Sequence, residues 1–206
     1  AAGRFVGAKS GNAIGTKCAS AAAPAGPAKT RSPRSDDDQR NNHGWIAVPM
    51  TPPVQLVWFK RDLRIADHLP LTEAARRGPV LCLYAYEPDL LASPEFTAAH
   101  LVFINQALEE LDKNLRARGA ALVIRRGEMT EVLTNLHRET RFTAIWSHEE
   151  TGNDITYRRD VRVADWCRTH GVPWHEHRQD GVVRRLHSRN GWSRHWQQLM
   201  TQPLAP

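Results

Sequence analysis

The alternation of short apolar runs with amphipathic segments along residues 54–177 constrains the fold more than any other feature of this sequence. Five runs predict strands, because each is short and bounded by Gly, Pro or charged residues; they cover residues 54–59, 80–85, 120–124, 142–147 and 173–177. The segments between them predict helices over residues 69–77, 101–115, 129–136 and 154–170. Strands that alternate with helices across short connections favour a parallel sheet covered by helices on both faces. The pattern alone therefore predicts an α/β fold.

Residues 1–53 differ from the rest of the chain in composition. They are rich in Ala, Gly, Pro and Ser and show no apolar periodicity, so they cannot bury enough surface to offset the entropy of ordering. We predict a disordered tail here. A transit peptide is one alternative. The other is upstream sequence outside the native protein, since Met50 stands just before the first strand.

Charge and cysteine content narrow the class of protein. The formal net charge is +6, but residues 1–53 hold seven basic and three acidic residues, so the remainder carries only +2. Bulk charge therefore says little about partners. No run approaches the roughly 18 apolar residues of a membrane span. Three widely spaced cysteines favour a reducing, cytoplasmic setting, with Cys82 and Cys167 as packing residues.

Several common catalytic and cofactor signatures are missing from the sequence. It contains no Gly-x-Gly-x-x-Gly motif, no Walker phosphate loop and no Gly-x-Ser-x-Gly elbow. No residue spacing predicts a metal site. His175 and His177 alternate on the fifth predicted strand and are interpreted as surface or edge histidines.

The first strand runs into an unusual motif, Trp58-Phe59-Lys60-Arg61-Asp62-Leu63-Arg64. This motif resembles the opening of the DNA photolyase and cryptochrome family, and the later segments look most like its bacterial branch. The resemblance continues through residues 147–153, Arg159-Asp160, residues 181–186 and Gly191-Trp192. It implies a Rossmann-like three-layer sandwich with a five-stranded parallel sheet over residues 54–180.

The family resemblance also implies cofactors and partners. In this family the α/β domain docks on a helical domain that binds FAD, and light-excited reduced FAD splits a pyrimidine dimer flipped out of DNA. Many members hold an antenna pigment, a folate or a flavin-type molecule. The chain stops at Pro206, so we expect residues 181–206 to be a linker toward an absent helical FAD domain, its partner in cis. Damaged DNA is the expected partner of the full-length protein.

The expected function follows from that resemblance. The chain is interpreted as the amino-terminal domain of a deoxyribodipyrimidine photolyase, truncated and inactive alone, so no catalytic residue is predicted within it. One alternative is part of a cryptochrome-type blue-light photoreceptor. Another is a stand-alone binding domain that lacks the FAD half.

The family's strand order, 3-2-1-4-5, implies a switch point between strands one and four, where open α/β sheets bind ligands. The candidate antenna residues are therefore those that directly follow strands one and four. Tyr86 and Glu87, at the end of strand two, are less favoured candidates. The full set is Lys60, Arg61, Asp62, Tyr86, Glu87, His148, Glu149 and Glu150. In one interpretation Glu149 or Glu150 accepts hydrogen bonds from a pterin or flavin ring. In the other, Arg61, Asp62 and Arg64 pair across the interface with the helical domain.

Two further segments leave alternatives open. Residues 66–71 depart from the His-Asp-Asn-Pro-Ala-Leu pattern of many family members, so the identity of the antenna cannot be carried over. Residues 184–196 mix basic and aromatic side chains, which suits either contacts with DNA or a linker whose Trp192 and Trp196 pack on neighbouring helices. Trp58, Trp146 and Trp166 are interpreted as core residues.

Overall fold

A computed structural model of the chain describes residues 52–184 and 186–205. The tail predicted over residues 1–53 therefore lies outside the described residues, apart from Pro52 and Pro53. The described elements, in chain order, are β1 (Gln55–Phe59), α1 (Leu69–Ala75), β2 (Val80–Tyr86), α2 (Pro88–Leu91), α3 (Ala98–Arg116), β3 (Leu122–Arg126), α4 (Met129–Thr140), β4 (Ala144–His148), α5 (Asp154–His170), β5 (Trp174–His177) and α6 (Trp192–Met200).

The five strands form one sheet in the order β3-β2-β1-β4-β5, and every neighbouring pair is parallel. In the central strand β1, Val57 pairs with Cys82 of β2 on one side and with Trp146 of β4 on the other. The predicted α/β class and strand order are confirmed. Because the order reverses between β1 and β4, their carboxyl ends border the crevice where such sheets place ligands.

Every residue of β1 is buried, because helices cover both faces of the sheet. Alternate side chains of a strand point to opposite faces. Leu56 and Trp58 accordingly join one core with residues of α4 and α5, and Val57 and Phe59 join a second core with residues of α1 and α3. Burying side chains of this kind stabilises a fold by roughly 1.5–3 kcal/mol each. The two cores make the three-layer sandwich that the resemblance implied.

Local sequence signals set both ends of α5. Asn153 is the N-cap, and its side-chain oxygen accepts a hydrogen bond from the Thr156 amide at 3.2 Å. Gly171 follows the last turn with φ 65°, a left-handed conformation that glycine adopts without a Cβ penalty. The observed bounds coincide with the helix predicted over residues 154–170.

Strand β3 departs from its predicted bounds. The apolar run predicts a strand over residues 120–124, whereas the structure places it at Leu122–Arg126. β3 is an edge strand that pairs with the second half of β2, so Arg125 and Arg126 continue the ladder with exposed side chains. Edge strands often carry such charges. A prediction based on apolar runs therefore leaves these residues out of the strand. Two short helices were also not predicted: α2 in an expected loop and α6 in the expected linker.

The expected packing residues are confirmed. Trp58, Trp146 and Trp166 are buried, and so are the free cysteines Cys82 and Cys167. Burial raises the pKa of the Cys82 thiol to about 12, which keeps it protonated and unreactive at neutral pH. Among the helices of the described residues, none has the length and hydropathy needed to cross a bilayer.

Candidate functional site

The sheet divides the predicted site residues between its two faces. Lys60 lies on the α5 face, where its amine contacts the rings of Trp58 and Trp174. Asp62 and His148 lie at the end of the opposite face, in contact with one another. The residues that leave β1 and β4 are therefore brought together in two clusters, one on each side of the sheet.

The Arg159 cluster lies on the α5 face and consists of Lys60, Glu87, Glu150, Arg159 and Asp160. Arg159 donates hydrogen bonds to Glu87 at 2.7 Å and to Glu150 at 3.2 Å. It also donates to Asp160 at 2.9 Å, and Asp160 accepts a further bond from Lys60 at 3.1 Å. Ends of β1, β2 and β4 are thus held to α5 by buried, charge-assisted hydrogen bonds.

The charges of this cluster compensate one another. Burial lowers the pKa of Lys60, and the Asp160 carboxylate opposes that shift. Burial also acts against the charged form of Arg159, but the Glu87 and Asp160 carboxylates outweigh it and raise the pKa. The cavity that the cluster borders measures about 30 Å³. That volume holds a water molecule but not a pterin or flavin ring.

The Asp62 cluster lies on the opposite face and consists of Asp62, His68 and His148. One Asp62 carboxylate oxygen lies 2.5 Å from His148 Nδ1 and 2.7 Å from His68 Nε2, and the other accepts from the Lys60 amide at 2.9 Å. His68 Nδ1 accepts from the Leu71 amide at 3.1 Å as the N-cap of α1, which leaves the ring proton on Nε2. Although burial opposes it, the hydrogen bonds from His148 and His68 lower the pKa of Asp62.

Two histidines and a carboxylate are also a set of residues that could hold a metal ion. Zinc lies 2.0–2.2 Å from such ligands, so ligand atoms around it stand more than about 3 Å apart. At 2.5 Å and 2.7 Å, the two ring nitrogens lie closer to the Asp62 oxygen than two ligand atoms of one zinc ion can stand. Because His68 Nδ1 is already occupied by a backbone amide, the Asp62 cluster fits hydrogen bonding and not coordination.

The remaining candidates lie apart from one another. Tyr86 donates its hydroxyl to Asn105 of α3 at 2.5 Å. Glu149 lies 3.9 Å from Arg178, near the end of β5. Arg61 reaches the edge of the Arg159 cluster with a side chain that is 61% exposed. None of these three predicted residues lines the cavities of about 610 Å³ and 520 Å³.

A cavity of about 610 Å³, which we call the β5 cleft, lies between α5, β5 and the segment that follows β5. Its volume falls in the range of small-molecule sites. Of the eight predicted residues, only Glu150 lines it. Its main lining residues are Glu150, Thr151, Asn153, Tyr157, Val161, Ala164, Trp174, Glu176, Val182 and Arg184.

The β5 cleft combines aromatic side chains with paired carboxylates. Tyr157 and Trp174 are the aromatic residues of its lining. Glu176 is paired with Arg184 at 3.0 Å, and Glu150 with Arg159 at 3.2 Å, so each carboxylate is compensated and still has oxygen lone pairs. Such a lining suits a planar ring whose edge donates hydrogen bonds.

The importance of Arg159 was not predicted, although the sequence carries a signal for it. Thr156, Arg159, Asp160 and Val163 are buried together on α5, at the spacing of three and four that defines one helix face. Two charged residues on a buried face imply buried partners. The partners themselves come from β2 and from the loop after β4, and no local spacing could have identified them.

A parallel sheet in the order β3-β2-β1-β4-β5, covered by helices on both faces, defines a Rossmann-like α/β domain. The family model described as DNA photolyase matches residues 55–191. The chain belongs to this photolyase and cryptochrome family and forms its amino-terminal α/β domain, as the sequence resemblance implied.

Individual proteins of known name are similar to between half and three quarters of this chain. Cryptochrome DASH from Gloeobacter violaceus is 32% identical over 116 residues, which are 53% of this chain and 23% of that protein. A bacterial class III photolyase from Agrobacterium tumefaciens shares the fold, with TM-score 0.63 and 24% identity, over 71% of this chain and 30% of its own. An archaeal photolyase from Sulfolobus tokodaii gives TM-score 0.59 and 22% identity over 74% and 36%. The chain spans 23% and 49% of the first two curated relatives.

Proposed function

We propose that this chain is the antenna-side domain of a deoxyribodipyrimidine photolyase and that the β5 cleft holds its light-harvesting pigment. The observation that carries the proposal is the β5 cleft itself, a cavity of about 610 Å³ with aromatic walls and compensated carboxylates. The archaeal photolyase similar to this chain contains two FAD molecules, which imply a novel light-harvesting cofactor in that protein. A second pigment is therefore reasonable in a domain of this fold.

The lining of the β5 cleft fits a folate or flavin-type ring. Trp174 and Tyr157 offer faces on which a heteroaromatic ring can stack. Glu150 and Glu176 offer acceptors for the N–H groups at the ring edge. When bound, the pigment would absorb light and pass the excitation to FAD. The protein residues bind it, orient it and exclude water.

The proposal refines the sequence-based antenna set. Glu150 keeps its predicted role as a ligand to the ring, because it lines the β5 cleft. Lys60 and Glu87 support the wall through the Arg159 cluster. Asp62 and His148 hold the ends of β1 and β4 in place. In this proposal residues 181–206 lead to a helical FAD domain in cis, and damaged DNA binds the complete protein.

Pigment binding to the 206-residue chain tests the antenna role. Flavin mononucleotide and a reduced folate are titrated against the chain, and binding is followed by fluorescence and equilibrium dialysis. Ala164→Trp, which fills the β5 cleft, should weaken binding by at least about tenfold. The matched variant Ala99→Trp, on exposed α3 away from the cleft, should leave it unchanged. No binding of either pigment, or equal binding to both variants, would refute the antenna role.

A cryptochrome-type photoreceptor is the second candidate function, because the curated relatives include cryptochromes. The coding sequence past Pro206 first shows whether a helical domain continues the chain; an immediate stop would favour a stand-alone binding domain. The protein with its helical domain is then given DNA that contains a thymine dimer. Splitting in light but not in darkness supports the photolyase, whereas flavin photoreduction without splitting supports the photoreceptor.

A further inference from the structure

Arg184 connects two elements that line the β5 cleft. Arg184 donates from Nε and Nη2 to the carbonyl oxygen of Glu150, at 3.1 Å and 2.8 Å. It also donates to both carboxylate oxygens of Glu176, at 3.0 Å and 3.1 Å. The planar guanidinium therefore bridges the loop after β4 and strand β5, and places Val182 against the cleft.

The same wall is joined to helix α6. Gly181 immediately precedes the wall residue Val182, and its carbonyl accepts a hydrogen bond from the indole of Trp192 at 2.9 Å. The ring of Trp196 lies so close to Gly181 that a Cβ at this position would collide with it. Neither Gly181 nor the two tryptophans line the β5 cleft. The wall of the cleft and α6 thus share a single turn at Gly181.

We propose that Arg184 is a positioning residue for the pigment and that, through the Gly181 turn, occupancy of the β5 cleft is coupled to the ordering of α6. This inference rests on the proposed antenna function. A ring in the cleft packs against Val182 and favours the position that the Arg184 bridge imposes. That position in turn presents Gly181 to Trp192 and Trp196. Such coupling is reciprocal, so an ordered α6 raises the affinity for the pigment.

Direct contact between Arg184 and the pigment, without coupling to α6, would give a different pattern of binding among the variants. If Arg184 acted only by touching the ligand, variants in the cleft would weaken binding and variants at the Gly181 turn would not. The discriminating change is therefore Gly181→Ala, because its added methyl group displaces Trp196 without entering the cleft. Arg189→Gln is the matched control for Arg184→Gln, since Arg189 is exposed on the same segment and lies outside the cleft.

The test measures flavin mononucleotide affinity and hydrogen exchange on the 206-residue chain. We expect Arg184→Gln and Gly181→Ala each to weaken binding about two- to fivefold, the range of a partly exposed ion pair. Arg189→Gln should bind like the original protein. Bound flavin should slow amide exchange in residues 192–200, and Arg184→Gln should remove that protection.

Each outcome bears on a separate claim. If flavin binds the original chain and Gly181→Ala equally well, the coupling is refuted while the antenna function stands. If neither flavin nor folate binds, the antenna function and the pigment role of Arg184 both fail. Exchange without ligand then tests whether the Arg184 bridge orders α6. Arg184→Gln must accelerate exchange in residues 192–200 about two- to fivefold, and unchanged exchange would refute that link.

Discussion

Arg159 shows how a single side chain can organise the carboxyl edge of a sheet. It lies on α5, yet its guanidinium contacts residues that follow β2 and β4 as well as Asp160 beside it. Its charge also lies 4.8 Å from the centre of the Trp58 ring, a favourable cation–π distance. Because the Arg159 guanidinium is buried, its contribution to the stability of the fold depends on all of its partners remaining in place.

Replacing Arg159 with Met should therefore destabilise the domain strongly. Met fills a similar volume but leaves the Glu87 and Glu150 carboxylates buried without that partner, at a cost of about 3–5 kcal/mol. Arg158 is the matched control, because its side chain is 72% exposed and its ion pair within the described part of the chain is with exposed Asp154. Arg158→Met should change stability by less than about 0.5 kcal/mol. Urea denaturation followed by circular dichroism measures both, and equal midpoints would contradict a structural role for Arg159.

The Asp62 cluster predicts how stability depends on pH. Burial lowers the pKa of His68 below its ordinary value of 6.5, with partial opposition from Asp62. The unfolded chain therefore binds a proton at His68 in a pH range where the folded chain does not. By linkage, this group contributes stability above pH 6.5 that is lost as the pH falls.

His68→Asn should reduce this pH dependence, because Asn does not titrate and can still cap α1 through its side-chain oxygen. Thermal melts at pH 7.5 and pH 5.5 should show a smaller loss of melting temperature in the variant than in the original chain. His187→Asn, at an exposed position, should lose as much melting temperature between the two pH values as the original chain. The loss that remains in His68→Asn comes in part from His137 and His177, whose pKa values are also lowered by burial. A His68→Asn slope as steep as the original would contradict this assignment.

At the scale of elements, β1 and α5 were predictable because their signals are local. β1 is a continuous buried run between Pro53 and Lys60, and α5 has its stop at Gly171. The predicted range of β3 was wrong by two residues, because its last residues, Arg125 and Arg126, are exposed at the sheet edge and carry no apolar signal. The α/β class needs only the order of the elements, whereas strand ends depend on which neighbour a strand pairs with.

The candidate site was less predictable than the fold. Sequence reasoning located the carboxyl ends of β1 and β4 correctly, and Glu150 does line the β5 cleft. It could not show that Lys60 and Asp62 turn to opposite faces, with partners up to 100 residues away in the chain. Nor could it show that Arg184, in the expected linker, closes the cleft. Pairings of this kind arise from tertiary packing and leave no local pattern.

The N-cap of α5 links the stability of an element to the β5 cleft. Asn153 both caps the helix and lines the cleft, so Asn153→Ala should cost about 1 kcal/mol of unfolding free energy and alter the cleft rim. Asn153→Asp should keep the cap and restore most of that stability. Urea denaturation of the two variants provides the measurement, and a full loss in Asn153→Asp would show that capping is not the cause.

At the scale of the whole molecule, most of the exposed large apolar side chains of the described residues lie on two parts of the chain. One lies on α3 and consists of Leu101, Val102 and Phe103. The other follows β5 and consists of Val182, Leu186, Trp192, Trp196, Met200 and Leu204. Apolar surface that remains exposed in a folded domain can mark a contact with another domain or molecule. In the proposed photolyase, the second surface faces the helical FAD domain.

The surface after β5 should make the 206-residue chain associate with itself when no partner covers it. Met200→Lys combined with Leu204→Lys places two charges in that surface away from the β5 cleft. Because each apolar side chain contributes roughly 1.5–3 kcal/mol when buried, the pair should weaken self-association at least about tenfold. Val102→Lys combined with Phe103→Lys makes the matched change on α3. Sedimentation velocity over a concentration series measures both, and equal effects of the two pairs would show that association is not directed by the surface after β5.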